Sequence, residues 1–248
     1  MQTVYQGPRP CKIAGKFRQG NIDCMDLILI RHGQVEAAQR GLFYGGAEVE
    51  LSELGKQQAR AAATFLAGQQ IDAIWASPLS RARFGADCVL EQLQDQSQAP
   101  QDGVVSVPEL REIDRGRWLG RSKSEVLGEF PGDWEAHQAD PMGWRGHQGE
   151  ALGDLQARVT AFWERIQGGS GRHVVVSHLF VTRCLLGLAQ GSPPEEWREL
   201  VIPTGSVSCL RYCAGRWERL FVGHAPGASE LSQAFPQCFP QGNPQSRF

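Results

Sequence analysis

The chain has 248 residues, of which 41% are hydrophobic and 21% are charged, so it can bury the core of one large domain. Its net charge of -2 and pI near 6.3 argue against a protein that coats nucleic acid or binds an acidic membrane by bulk charge. No segment has the length of a membrane helix, and the N-terminus lacks the apolar part of a secretory signal, so we expect a cytoplasmic protein.

The cysteine content points to the same location. The chain contains seven cysteines, an odd number, and no Cys-x-x-Cys pair. This usage is more typical of a reduced intracellular protein than of a disulfide framework. Cys209 and Cys213 come closest to a pair, and we interpret both as residues of a strand.

Strand signals recur between two end segments that lack periodicity. Residues 1–24 predict an N-terminal extension, and residues 223–248, which contain four prolines, predict a flexible tail after a domain over 25–222. Within the domain, the predicted strands are LILI, IDAIWAS, VVSVPE, HVVVSH and SVSCLRY, in chain order. Their apolar residues are largely continuous, which is typical of strands covered on both faces.

Amphipathic segments lie between the predicted strands. SELGKQQARAAATFLAG has Ser52 as its predicted N-cap and ends at Gly68. In ALGDLQARVTAFWERIQ the apolar residues recur at spacings of three and four, which places them on one helical face. This alternation predicts an α/β fold, a three-layer αβα sandwich with a mostly parallel central sheet.

Polar and cationic residues stand where three of the predicted strands end. Arg31 and His32 follow LILI, residues 77–81 follow IDAIWAS, and His178 ends HVVVSH. Because sheets of this kind form their sites at the carboxyl ends of strands, we expect these residues to share one crevice.

Such a crevice suits a compact dianion, for example a phosphoryl group. Arginine offers planar bidentate donors, and histidine can donate a hydrogen bond or act as a nucleophile. A helix that starts near Pro78 would add backbone N–H groups. A single histidine at a strand end is more often structural than catalytic, so the prediction depends on the joint placement.

Four motifs follow one another along the chain: RHG after the first strand, SPLSRA after the second, LREIDRGRWLG after the third and VVVSH before a helix. Together they resemble the histidine phosphatase superfamily over residues 26–212. The resemblance implies the phosphoglycerate mutase-like fold, with a small helical cap inserted over about residues 116–150. It also implies a metal-independent phosphatase without cofactors that acts on a small phosphate ester.

The resemblance assigns expected roles to individual residues. His32 matches the nucleophile that forms a phosphohistidine, and Glu112 matches the general acid of the phosphatase branch, with Glu109 as the nearby competitor. The expected phosphate-binding and substrate-binding residues are Arg31, Arg81, His178, Gly33 and Glu150. Glu150 has an equally good alternative interpretation as a first-turn residue that favours the helix dipole.

Two positions depart from the family pattern. Ala38 stands where many relatives have asparagine, which would remove one neutral phosphate donor. Leu179 and Phe180 follow His178 where glycine is frequent. Neither departure removes a residue expected to form or break bonds, so the resemblance implies altered affinity or substrate choice rather than lost chemistry.

Three functions remain open from the sequence. A phosphomonoesterase is favoured because LREIDRGRWLG resembles the phosphatase branch. A phosphoglycerate mutase is less favoured because no insertion carries a Pro-Pro-Pro run. A noncatalytic phosphate-binding protein is the third, although a binder would need neither His32 nor Glu112. The resemblance leaves the oligomeric state open.

The segment GLFYGGAEVELSELG resembles α-ribazole phosphatases of cobalamin biosynthesis, with Glu48 where aspartate is common. This makes α-ribazole 5'-phosphate a candidate substrate. Trp118, Trp134 and Trp144 of the expected cap could stack on its flat heterocycle or could pack the cap itself.

Overall fold

The computed structural model describes residues 24–94 and 98–229. Their strands are β1 (Met25–Arg31), β2 (Ala73–Ala76), β3 (Val104–Ser106), β4 (Gly171–Ser177), β5 (Val207–Cys213) and β6 (Arg216–His224). They form one sheet in the order β3-β2-β4-β1-β5-β6. The first four in this order are parallel, β5 is antiparallel to β1, and β6 is antiparallel to β5. The predicted α/β fold with a mostly parallel sheet is confirmed.

The helices cover the faces of the sheet and form the cap. They are α1 (Glu36–Gln39), α2 (Glu53–Phe65), α3 (Ser80–Gln94), α4 (Lys123–Glu129), α5 (Asp133–Ala139), α6 (Leu152–Ile166), α7 (Leu179–Gln190) and α8 (Pro194–Trp197). Short 3₁₀ turns occupy Pro108–Leu110 and Gly116–Trp118. The predicted N-cap of α2 is confirmed, because the Gly55 backbone N–H donates to Ser52 Oγ at 3.1 Å. No helix among these residues is long and apolar enough to cross a bilayer.

Strand β1 is buried on both faces, which explains its continuous apolar run. Leu27 and Leu29 belong to the core under α6 and α7, whereas Ile28 and Ile30 belong to the core under α2 and α3. All four side chains are at most 2% exposed. Burying each contributes about 1.5–3 kcal/mol, so this strand is a rigid base for the residues that follow it.

The parallel register brings the ends of three strands together. Arg31 pairs with Ser177 across β1 and β4, and the His32 backbone N–H donates to the Ser177 carbonyl at 2.9 Å. The Ser77 backbone N–H donates to the Val176 carbonyl at 3.0 Å. The residues after β1, β2 and β4 therefore meet at one edge of the sheet.

The sequence does not predict strand β6. Most of its first residues are exposed, including Arg216, Glu218 and Arg219, so the strand lacks the apolar run that identifies the others. It runs to His224 and so extends past residue 222, the predicted end of the domain. The predicted tail beyond residue 229, and the extension up to residue 23, lie outside the described residues.

The prediction that the cysteines are reduced is wrong for one pair. Cys209 and Cys213 lie on β5 as predicted, but Cys213 forms a disulfide with Cys24. Met25 pairs with Tyr212 in the antiparallel register of β1 and β5, so the two cysteines are neighbours with Cα atoms 4.6 Å apart. A separation of 189 residues conceals this pair in the sequence.

Candidate active site

His32 lies at the centre of the sheet edge and is 1% exposed. Its Nδ1 lies 2.7 Å from the Gly33 carbonyl oxygen, which can only accept a hydrogen bond, so Nδ1 carries the proton. Its Nε2 is buried and has no hydrogen-bond partner among the described residues. In the neutral ring this nitrogen holds a lone pair, which is the form that a nucleophile requires.

The surroundings of His32 keep its ring neutral. Burial, followed by the charges of Arg81 and Arg31, lowers the pKa of His32 well below its usual value, although the Gly33 hydrogen bond opposes this shift. Two cations beside an uncharged imidazole make this part of the site positively charged. Such a site is suited to an anion.

Gly33 is required by a close backbone approach. A Cβ atom at this position would lie 2.0 Å from the Gly55 carbonyl oxygen, which leaves no room for any side chain. The contact fixes the turn after β1 against the start of α2. Because the Gly33 carbonyl binds His32, this residue acts on the site through the orientation of the imidazole ring.

His178 faces His32 from the end of β4. The centroids of the two rings are 5.1 Å apart, and His178 is fully buried. Its Nε2 lies 2.8 Å from Ser77 Oγ, and its Nδ1 has no partner in the described part of the chain. If the Ser77 hydroxyl donates to Nε2, the neutral ring carries its proton on Nδ1 and can donate it to an anion in the site.

The two predicted arginines are bound by backbone carbonyls and keep some N–H donors unpaired. Arg81, at the start of α3, is 1% exposed and donates from both terminal nitrogens to the carbonyls of Gly45 and Ala47 at 2.6 Å. Arg31 donates to the Ile202 carbonyl at 2.6 Å. The Nε atoms of both arginines are buried without a partner in the described ranges. Each guanidinium is thus positioned by the backbone and retains N–H groups for an anion.

The structure separates the two candidate acids. Glu109 forms an ion pair with Arg165 at 2.5 Å, and the hydrogen bond from Arg165 lowers the pKa of Glu109. Glu112 is 7% exposed, and its Oε1 accepts from the Ile113 backbone N–H at 3.0 Å. Burial lowers the pKa of Arg81 and the charge of Glu112 raises it, so Glu112 lies within electrostatic reach of the arginine that borders His32.

Glu150 is already engaged by protein groups. Its two oxygens accept from Arg158 at 2.8 Å, and one also accepts from the Asp114 backbone N–H at 3.0 Å. These contacts give Glu150 a structural role, but the residue lies before Ala151, the N-cap of α6, so the interpretation as a first-turn residue is wrong. Its predicted contact with substrate stays a prediction.

Three residues near the site are not assigned a role from the sequence. Arg158 donates to the carbonyls of Glu109 and Arg111 and so fixes the segment that carries the candidate acid. Ser77 orients His178. The Tyr44 ring lies 6.4 Å from the His32 ring and 5.4 Å from the Arg81 guanidinium. The only signal for Arg158 is that it lies on the polar face of an amphipathic helix.

The predicted helical cap contains α4, α5 and the turn at Gly116–Trp118. Trp118 is fully buried, and its ring lies 5.9 Å from Trp134 and 5.5 Å from Trp144. These mutual contacts favour the interpretation that the tryptophans pack the cap. Glu48 also has a local role, since it accepts from the Ser80 backbone N–H and hydroxyl at the start of α3.

The departures from the family pattern also have defined places. Ala38 is exposed on α1, and Phe180 lies in the first turn of α7.

No group of three or more His, Cys, Asp or Glu side chains within 24–94 and 98–229 is arranged to hold a metal ion.

The strand order and the paired histidines beside two arginines define the class of protein. The sequence model of the histidine phosphatase superfamily (branch 1) matches residues 27–223. The chain belongs to this superfamily, which confirms the resemblance of its four motifs.

Individual relatives cover most of the domain. The chain is 32% identical over 164 residues to phosphoserine phosphatase 1 of Hydrogenobacter thermophilus, a match that covers 64% of this chain and 73% of the relative. It is 31% identical over 196 residues to the adenosylcobalamin/alpha-ribazole phosphatase of Salmonella typhimurium, covering 77% and 92%. The crystal structure of the alpha-ribazole phosphatase from Shigella flexneri superposes with a TM-score of 0.73 at 27% identity, covering 82% and 98%.

Proposed function

We propose that the chain is a phosphomonoesterase that cleaves a small phosphate ester through a phosphohistidine on His32. The observation that carries this proposal is the buried Nε2 of His32, which has no partner in the described part of the chain and which the Gly33 carbonyl keeps in the nucleophilic tautomer. The charges of Arg31 and Arg81 act on the His32 ring, and the Nε–H group of each arginine has no partner among the described residues. The family and its phosphatase relatives support the same reaction class.

The reaction has two steps. In the first, His32 Nε2 forms a bond to phosphorus while the ester P–O bond breaks, and protonated Glu112 gives its proton to the leaving oxygen. In the second, Glu112 as a carboxylate takes a proton from water, the water oxygen attacks phosphorus, and the P–N bond breaks to release inorganic phosphate. His32 and Glu112 both return to their starting forms.

The proposed role of Arg31, Arg81 and His178 is to hold the nonbridging oxygens during both steps. Phosphoryl transfer spreads negative charge over these oxygens, so donors fixed in advance stabilise the transition state. The backbone carbonyls that bind both arginines supply that fixation.

A panel of phosphate esters, assayed in EDTA and without bisphosphoglycerate, tests the proposed function. We expect inorganic phosphate to be released at an undiminished rate after exhaustive chelation, because arginines supply the positive charge. If EDTA abolished hydrolysis and one divalent ion restored it, the metal-free mechanism would be wrong. Turnover that requires a bisphosphoglycerate primer would indicate a mutase, and an inert protein that only binds phosphate would indicate a noncatalytic member.

Replacing Arg81 with lysine tests the phosphate site. Lysine keeps the charge but loses the planar fork, so we expect kcat/KM to fall roughly tenfold or more, which corresponds to about 1.4 kcal/mol. The control is Arg83→Lys on the same helix, where the side chain is partly exposed and pairs with Asp87. We expect this control to change kcat/KM less than about twofold. A kinetically silent Arg81→Lys enzyme would place Arg81 outside the phosphate site.

The substrate itself is a further proposal. The Salmonella and Shigella relatives support α-ribazole 5'-phosphate as a candidate. The packing of the cap tryptophans against one another removes the stacking argument for it. A cytoplasmic location and the absence of a nucleic-acid partner stay predictions from composition.

A further inference from the structure

Arg115 is a buried cation that has no hydrogen-bond acceptor or carboxylate partner among the described residues. The residue is 8% exposed, and its guanidinium lies 4.9 Å from the Phe180 ring centroid and 5.9 Å from that of Phe43. Within 24–94 and 98–229 its side chain makes no hydrogen bond or ion pair. The two phenyl rings hold the guanidinium in place, and no acceptor for its N–H groups lies within those ranges.

Such a group is unusual because burying an unpaired charge is costly. Arg117, two residues further along the chain, shows the ordinary arrangement, since it pairs with Asp133 at 2.7 Å. A buried arginine that keeps its N–H groups free suggests that its partner is a ligand.

Arg115 lies beside the phosphate site. A Cβ atom built on Gly45 would lie 2.7 Å from Arg115 Cγ, and the Gly45 carbonyl accepts from Arg81 at 2.6 Å. Phe180 follows His178 at the start of α7. The loop and the helix that border the phosphate site thus also position Arg115.

Arg115 is on the side of the candidate acid rather than of the nucleophile. Arg115 follows Glu112 by three residues on the same segment, and burial lowers the pKa of Arg115 while the charge of Glu112 opposes this shift. Burial and then the charge of Arg115 also lower the pKa of His147, a residue that packs against Trp118 of the cap. Because the acid protonates the leaving oxygen, this side holds the leaving group.

We propose that Arg115 is a specificity-determining residue that binds a carboxylate on the leaving group of the substrate. The inference rests on the proposed phosphatase function and narrows it to phosphate esters of hydroxy acids. A carboxylate matches the planar fork of one guanidinium. A second phosphate would bring up to two negative charges next to Glu112, and a neutral nucleoside would leave the buried cation unpaired.

The test compares pairs of esters that differ only in the carboxylate. O-Phosphoserine and O-phosphoethanolamine form one pair, and 3-phosphoglycerate and glycerol 3-phosphate form the other. In each pair we divide kcat/KM for the ester with the carboxylate by kcat/KM for the ester without it. We expect this ratio to be roughly ten or more in the unmodified enzyme, and to fall roughly tenfold or more in Arg115→Met. Methionine keeps much of the side-chain volume but has no donor.

Arg111→Met is the matched control. Arg111 precedes Glu112 and is exposed, and it donates to the Gly46 carbonyl at 3.0 Å. Its loss removes the same charge from the same segment, so we expect the ratio to change less than about threefold. If both variants lowered the ratio equally, general electrostatics would explain the preference and the assignment of Arg115 would be overturned.

The unmodified enzyme and Arg115→Lys keep the test decisive if Arg115→Met does not fold. Lysine preserves the charge without the fork, so we expect a ratio between those of the unmodified enzyme and the methionine variant. An unmodified enzyme that hydrolyses both members of each pair equally, or prefers a bisphosphate or α-ribazole 5'-phosphate about tenfold, would overturn the proposal. Those outcomes leave the phosphatase function intact, whereas failure to release phosphate from any ester would contradict the proposed function itself.

Discussion

His32→Ala is expected to abolish phosphatase turnover, with a loss of kcat of roughly ten-thousandfold or more. The same substitution should remove all covalent labelling by a ³²P-labelled substrate. In the unmodified enzyme the label should be acid-labile and base-stable, as a phosphohistidine is. The physical reason is that His32 supplies the buried nitrogen lone pair at the sheet edge, and alanine supplies none.

The second histidine of the site is not expected to replace the first. His178 Nε2 is engaged with Ser77, and its ring is fixed by burial between β4 and α7. A label that persisted in His32→Ala and mapped to His178 would contradict this assignment.

The variant should remain folded, so the loss can be attributed to chemistry. Alanine removes one hydrogen bond to Gly33, but it also removes a buried Nε2 that has no partner in the described structure. Thermal unfolding should therefore remain cooperative. His224→Ala is the control, because this half-buried histidine lies at the end of β6 and contacts the Phe65 ring at 5.0 Å. It should keep both the label and the turnover.

The site residues on the sheet could be predicted because the sheet follows simple rules. LILI and the VVV of VVVSH are continuous apolar runs, and parallel strands place their ends at one edge. His32 and His178 were therefore expected at the same edge, and they are neighbours because β1 pairs with β4. No comparable rule places β6, because an exposed edge strand needs few apolar residues and carries polar ones instead.

Other features depend on tertiary contacts that leave no local signal. The resemblance already favours Glu112 over Glu109, but the ion pair that engages Glu109 joins it to Arg165, 56 positions away. The disulfide joins residues 189 positions apart. Arg115 looks like a surface arginine in LREIDRGRWLG, and its burial follows from Phe43 and Phe180, which reach it from other elements.

Glu112→Gln should slow alkyl phosphates far more than aryl phosphates. Glutamine removes the proton donor but leaves His32 and the arginines in place, and an alkoxide leaves poorly without a proton whereas a nitrophenolate needs little assistance. We expect kcat/KM to fall roughly a hundredfold or more for an alkyl ester and less than about tenfold for p-nitrophenyl phosphate. Because kcat/KM reports the steps up to phosphorylation of His32, slow hydrolysis of the intermediate does not obscure the comparison.

Glu109→Gln is the matched control for the acid. Its carboxylate is paired with Arg165, so its loss should disturb the segment but should not remove the group that protonates the leaving oxygen. Both ester types should then slow alike, by less than about threefold. In Glu112→Gln, the phosphohistidine formed from p-nitrophenyl phosphate should also accumulate, because no carboxylate activates the water. Equal slowing of both ester types in Glu112→Gln, with phosphorylation limiting for each, would remove Glu112 from the acid role and make Glu109 the next residue to test.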